Sequence, residues 1–228
     1  MAETFTDDFN RANTSQSPYT ATVGGAGWVQ DGDGSTTASD WFINDNTLAG
    51  RNRGAELALL YNNSLETVSG NGASFTLSTD VSAKVASVWT GVIFNYQSAG
   101  NYYVLRFKGN STSYQLLKVA DGKNAQVIVS KSDSTQVFAV DSFYTITVTS
   151  DTAGRFEFTI TAAGKSKALN PVITGTDTTG SSFEKGYAGM YLIMAAKGPN
   201  AKFDNFSLKI VPRVILGAFN RPFNKHVL

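Results

Sequence analysis

Two kinds of chemistry are worth looking for among the acids and rings of this chain, and the first is decided by spacing. Retaining cleavage of a glycosidic bond takes two carboxyl groups about 5 Å apart. The glutamates are Glu3, Glu56, Glu66, Glu157 and Glu184; none has an aspartate two residues on, and none has a second glutamate nearby. Glu157 stands alone in Arg155-Phe156-Glu157-Phe158, on the polar side of an alternating run. The sequence has no cysteine and a single histidine, His226. Thiol nucleophiles, disulfides and cysteine zinc sites are thereby excluded, and neither a serine–histidine–aspartate triad nor a multi-histidine metal site is expected. The chain reads as a protein that is not an enzyme.

The second kind is binding. Sugars are held by rings stacked on their C–H faces and by amide, guanidinium and carboxylate groups on their hydroxyls. The rings on offer are Trp28, Trp41, Trp89, Tyr61, Tyr96, Tyr102 and Tyr103. Trp41 follows Asp40 in a polar stretch and Trp89 precedes Thr90-Gly91, so each suits a loop. Arg106 lies between Leu105 and Phe107 and, on a strand, faces the side opposite theirs. Trp41, Trp89, Tyr96 and Arg106 are the candidate glycan contacts. The competing role is strong, because most aromatics of a β-sandwich belong to its core.

Two aspartates suggest a cation. Asp7 shares a strand face with Phe9, and Asp204 with Phe206, so if both phenylalanines point inward both carboxylates do too. Buried carboxylates are paired or hold a metal, and oxygen ligands from two strands suit Ca²⁺. The alternative is that Asp7 pairs with Arg11, or that both acids bond backbone at a strand end. Asp31-Gly32-Asp33-Gly34-Ser35 resembles half a calcium loop without its later ligands, and reads as a turn.

The elements that must position these residues are strands. Residues 73–81, 91–96, 101–108, 114–119, 125–130, 143–149, 155–161, 186–194 and 201–210 are short runs of β-formers, several strictly alternating, and residues 5–13 open the series. Ser98-Ala99-Gly100-Asn101, Asp121-Gly122-Lys123-Asn124, Asp151-Thr152-Ala153-Gly154 and Ala163-Gly164-Lys165 separate them as turns. No stretch keeps a helical period. The pattern specifies an all-β, antiparallel jelly-roll sandwich.

The order of five pieces carries a resemblance: Asp7-Asp8-Phe9-Asn10-Arg11, Tyr102 to Phe107, the Leu-Leu-Lys-Val run at 116–119, Gly186-Tyr187-Ala188-Gly189-Met190-Tyr191, and Phe203-Asp204-Asn205-Phe206. Over residues 4–210 the chain resembles the concanavalin A-like, laminin G-like domains found in bacterial carbohydrate-active proteins and phage particles; residues 22–65 fit less well. The resemblance implies a binding scaffold whose first and last strands lie side by side, sometimes with a structural calcium. Glucanases on this fold carry E-x-D-x-x-E or E-x-D-x-E on a strand, which this chain lacks.

Of its 228 residues 42% are hydrophobic and 12% aromatic, enough for a substantial core, while only 16% are charged and the net charge is +1. There is no electrostatic case for nucleic acid. No window approaches a membrane span, and Met1-Ala2-Glu3-Thr4 is not a signal peptide. Two domains are expected: the sandwich, 1–210, and a C-terminal extended arm, 211–228. The arm has two prolines, three basic residues and no acid, yet Val214, Ile215, Leu216, Phe219 and Phe223 are apolar, and Arg221 lies among them. Such a segment suits docking on protein subunits of a larger assembly, a homo-oligomer among them; folding back over the arm's own sandwich edge is the alternative. The leading expectation is a non-catalytic structural or adhesion protein of lectin-like fold, a virion component such as a phage head decoration or tail protein, located on a virion or extracellular surface and able to bind cell-surface polysaccharide. The alternative is a carbohydrate-binding module of a secreted polysaccharide-degrading enzyme.

Overall fold

A computed structural model of the chain describes residues 1–10, 27–32, 39–52, 57–70, 73–132, 137–164, 172–193 and 198–212. In chain order the strands are β1 (Glu3–Asp7), β2 (Trp28–Gly32), β3 (Ser39–Asn44), β4 (Thr47–Asn52), β5 (Leu57–Val68), β6 (Ser74–Ala83), β7 (Trp89–Ser98) and β8 (Asn101–Lys108). They continue as β9 (Ser113–Val119), β10 (Gln126–Ser132), β11 (Tyr144–Thr152), β12 (Arg155–Ala162), β13 (Ile173–Thr176), β14 (Lys185–Ile193) and β15 (Gly198–Val211). They form two antiparallel sheets packed as a jelly-roll sandwich. One runs β13-β12-β11-β6-β15-β4-β3, with β1 added beside β15; the other runs β10-β9-β8-β7-β14-β5-β2. No helix among the described residues is long and apolar enough to cross a membrane.

The first and last strands lie side by side, Asp7 opposite Phe206 and Glu3 opposite Ile210. The opening strand is shorter than expected. It ends at Asp7, and Phe9 takes a left-handed backbone (φ 51°), held by its N–H donating to the Asp7 carboxylate. Strands β2 to β5 fill the stretch where the sequence pattern was weak. The clearest signal there is Asp45-Asn46 between Ile43 and Thr47: both residues have positive φ, the backbone of a two-residue type I′ hairpin. Asp31-Gly32, read as a turn, closes β2 opposite Leu59 and Ala58, and residues 33–35 lie outside the described residues.

The two sheets differ in how their strands are buried. In β6, β11 and β12 burial alternates, with Phe75, Leu77, Ile146, Val148, Phe156 and Phe158 turned into the space between the sheets. In β7, β8, β9 and β14 it is nearly continuous. Val92, Phe94, Tyr103, Leu105, Phe107, Leu116 and Met190 face the core, whereas Ile93, Tyr96, Tyr102, Val104, Leu117 and Tyr191 form a second apolar layer on the outer face.

One charged group crosses the main core. Lys118 alternates with Leu116 and so points inward, where its ammonium lies 2.8 Å from Asp177 and donates to the Ser181 carbonyl at 2.9 Å. Asp177 also accepts from Tyr103 Oη at 2.7 Å and from the Thr179 N–H and hydroxyl. Burial alone would raise the Asp177 carboxyl; Lys118, Thr179 and Tyr103 outweigh it and hold the pKa at about 2, against an ordinary 3.8. A lowered folded-state pKa contributes stability that is present above pH 3.8 and lost as pH falls towards about 2. Asp177→Asn should therefore cost ~3–5 kcal/mol in urea unfolding at neutral pH, because Lys118 is left buried without its counter-charge, and should flatten the acid limb of the stability curve.

Candidate functional site

The outer face of the seven-stranded sheet carries the most chemistry. Pairing places Arg106 (β8) opposite Gln115 (β9) on one side and Gly91 (β7) on the other, and Gly91 in turn opposite Tyr191 (β14). Gly91 has no room for a side chain, since a Cβ there would fall 2.0 Å from the Leu105 carbonyl oxygen. The gap this leaves in the row lets Arg106 reach across β7. Its Nη1 donates to Tyr191 Oη at 2.6 Å, and its Nε and Nη2 donate to Gln115 Oε1 at 3.2 and 2.8 Å. The guanidinium lies 4.4 Å from the centre of the Trp89 ring, a cation–π distance. One N–H on each terminal nitrogen is left over from these bonds.

Arg106 lies at the edge of an open cleft of about 550 Å³. The floor comes from Tyr102, Val104, Leu117, Val119 and Tyr191, with half-buried Leu57 and Ile193; the wall is the Ala99-Gly100 turn and residues 122–125. The wall is tied together by the Gly122 N–H donating to the Gly100 carbonyl and the Asp121 N–H donating to Asn101 Oδ1. Tyr102 and Tyr191 are almost fully buried, so they shape the floor more than they present rings. Burial pushes the Tyr191 phenol up, opposed by Arg106, and Tyr191 remains a neutral hydroxyl that accepts from the guanidinium and keeps its own proton to donate. Among the described residues no aspartate or glutamate lines the cleft.

The structure brings together two of the four candidate glycan contacts, Trp89 and Arg106. It corrects the other two. Trp41 is no loop platform: it lies on β3, fully buried between the sheets with its ring 5.7 Å from Phe203, because alternation along β3 turns it inward. Tyr96 is on the correct face but only 2% exposed, stacked on Tyr61 at 4.6 Å; it supports the outer layer from below and offers no ring. Trp28 and Tyr103 are likewise core residues. Tyr191 and Gln115 were missed. Their signal was parity: in Gly186 to Ile193 the residues Ala188, Met190 and Leu192 share the inner face, which leaves Tyr187 and Tyr191 on the outer one.

The two aspartates do not share one inward face as expected. A bulge in β15 at Asn205 (φ 50°) restarts the alternation, so that Phe203 and Phe206 both face the core and Asp204 does not share the face of Phe206. Asp7 is buried, and its oxygens accept from the Phe9 N–H at 2.8 Å and the Trp28 indole N–H at 2.9 Å. Among the described residues no three acidic, histidine or cysteine side chains are grouped to hold a metal. Asp204 lies opposite Asp80 in the register. Burial first, then the charges of Asp80, Asp8 and Asp7, raise its carboxyl pKa against the opposing Asn205 N–H. The arm candidates Val214, Ile215, Leu216, Phe219, Arg221 and Phe223 lie outside the described residues. A raised folded-state pKa favours the fold at low pH and gives up that advantage as pH rises through it. Asp204→Asn should accordingly stabilise the protein at pH 7 by roughly 0.5 kcal/mol, with the difference from wild type vanishing in thermal melts below pH 3.8.

No protein-family model matches the sequence, and no curated protein is significantly similar to it. Solved structures do match. The chain is similar to a carbohydrate-binding module, CBM66, from Bacillus subtilis, with TM-score 0.57 and 18% identity over 80% of this chain and 95% of that one. It is similar to arcelin-5, a lectin-like defense protein from Phaseolus vulgaris, with TM-score 0.58 and 9% identity over 93% of this chain and 99% of that one. It also matches, over 90% of its length, 38% of a xylan β-1,4-xylosidase from Bacillus halodurans C-125, with TM-score 0.51 and 14% identity. These likenesses establish the fold: a concanavalin A-like jelly roll.

Proposed function

We propose that the chain is a carbohydrate-binding module without catalytic activity of its own, and that its glycan site is the cleft on the outer face of the seven-stranded sheet. The observation that carries this reading is Arg106, fixed by Gln115, Tyr191 and Trp89 and yet with N–H groups to spare at the edge of a cleft. A guanidinium already immobilised loses little side-chain entropy when it bonds sugar hydroxyls. The apolar floor suits the C–H faces of a pyranose or furanose ring. The carbohydrate-binding module and the lectin-like protein of the same fold favour the same use, and the absence of a carboxylate from the cleft lining among the described residues favours a binding role over hydrolysis there.

A second reading, a structural or adhesion subunit of a larger assembly such as a phage particle, is favoured by one observation. Val211 and Pro212, where the arm leaves the sandwich, are exposed, and Pro212 borders a largely apolar cleft of about 500 Å³ with Val68, Ala73 and Ile210. In that case the full chain should be oligomeric by light scattering, and a chain ending at Pro212 monomeric.

The glycan reading is tested through its tryptophans. Trp28 and Trp41 are buried between the sheets, whereas Trp89 does not line the cleft but packs on Arg106 at its edge, so its fluorescence reports on a ligand that engages Arg106. Titration of a panel of plant and bacterial polysaccharides should change intrinsic fluorescence for at least one member, with no reducing ends released. Trp89→Ala, which removes the reporter and is therefore titrated by calorimetry, should weaken that binding about tenfold, or ~1.4 kcal/mol, with an unchanged melting profile. A panel without any response would overturn the reading.

A further inference from the structure

Resting on the glycan-binding reading, we infer that the cleft selects acidic glycans, with the carboxylate of a uronic acid docking on Arg106. The argument is one of charge. Every bond that Arg106 makes goes to a neutral group, Gln115 Oε1 or Tyr191 Oη, and no acid among the described residues forms an ion pair with it. Those partners fix the position of the guanidinium but do not compensate its charge. A half-buried cation held beside an apolar floor lacks both full hydration and a counter-ion. A bound anion would supply what is missing.

The rest of the cleft has the same sign. Lys123 stands in its wall beside Asn124, and among the described residues no aspartate or glutamate lines it. The nearest acid to Lys123 is Asp121, 3.8 Å away with both side chains exposed, a pair too well hydrated to neutralise the cleft. The number of donors also matches. Gln115 and Tyr191 leave one N–H on each terminal nitrogen of Arg106, and a carboxylate accepts two such N–H groups in a bidentate pair. The Tyr191 hydroxyl, which accepts from Arg106, still has its own proton to give to the same carboxylate or to a neighbouring sugar hydroxyl. A neutral sugar would occupy the cleft and leave the cation uncompensated, so the charge difference becomes selectivity.

The test pairs each acid with its own neutral form. Oligomers of galacturonate, glucuronate and alginate are titrated by calorimetry against the full-length protein beside the same oligomers methyl-esterified, in which the carboxylate charge is replaced by a neutral ester one methyl group larger. At least one acid should bind about tenfold or more tightly than its ester, and the preference should shrink as salt rises. Arg106→Gln should abolish the preference. Gln115→Glu should do the same while keeping Arg106 in place, because the new carboxylate neutralises the guanidinium from within; thermal melts verify that both variants fold. If every ester binds as well as its acid while neutral glycans still perturb Trp89 fluorescence, the inference fails and the glycan-binding reading stands. If no glycan of any charge perturbs Trp89, the reading fails and takes the inference with it.

Discussion

The ion pair between Lys118 and Asp177 is the constraint around which the seven-stranded sheet is organised. A lysine on the inward face of a core strand is tolerated only with a complete set of partners, and here the partners come from one segment. Asp177 meets the ammonium directly, the Ser181 carbonyl takes a second proton, and the Phe183 ring lies 5.1 Å from the ammonium. Tyr103 adds a bond to Asp177 and receives the Phe183 N–H, and Asn95 donates to the Phe183 carbonyl. Residues 177–183 are thereby bound to β7, β8 and β9 immediately before the chain enters β14. The same strand then carries Tyr191 to the opposite face of the sheet, so a buried charge in the core and a bound arginine outside are connected through one strand.

The outer face departs from the usual economy of an antiparallel sheet, in which one face is dry and the other wet. Strands β7, β8, β9 and β14 are apolar on both faces, and the outer layer of tyrosines and aliphatics makes a low-dielectric floor. Polar groups placed on such a floor are few and count for more. Arg106 is a charged group among them, and it is accommodated because Gly91, opposite it on the neighbouring strand, contributes no side chain: a Cβ there would meet the Leu105 carbonyl oxygen at 2.0 Å. The apolar layer, the missing side chain and the neutral partners of the guanidinium together make a site able to discriminate by charge as well as by shape.

Much of the architecture was legible in alternation. The runs from residue 73 onward correspond to strands β6 to β12 and β14, and 101–108 coincides with β8. The pairing of first and last strands is what the resemblance to concanavalin A-like domains implied. The region before residue 70 was poorly legible, since Trp41-Phe42-Ile43 and Leu57-Ala58-Leu59-Leu60 are short unbroken apolar runs with no period, and periodicity does not separate buried strand from other buried structure there. Asp204 was misplaced because a bulge is a single inserted residue, which reverses every later facing without changing composition. Trp41 was misplaced because a polar neighbour in sequence is not a polar neighbour in space.

What the sequence by itself determined is local: strand after strand of alternating residues closed by Gly, Asn and Asp turns, the exclusion of thiol and histidine chemistry, and the outward facing of Arg106 between Leu105 and Phe107. Those follow from backbone sterics and a period of two, which act over a few residues. Only the tertiary structure decided that Arg106 would meet Gln115, Tyr191 and Trp89, that Lys118 would find Asp177, and that Tyr96 would be covered while Trp89 stayed half-buried. Each of these joins residues from different strands, and which strands become neighbours is set by packing two sheets around a common core, an energy summed over the whole chain and present in no single segment of it.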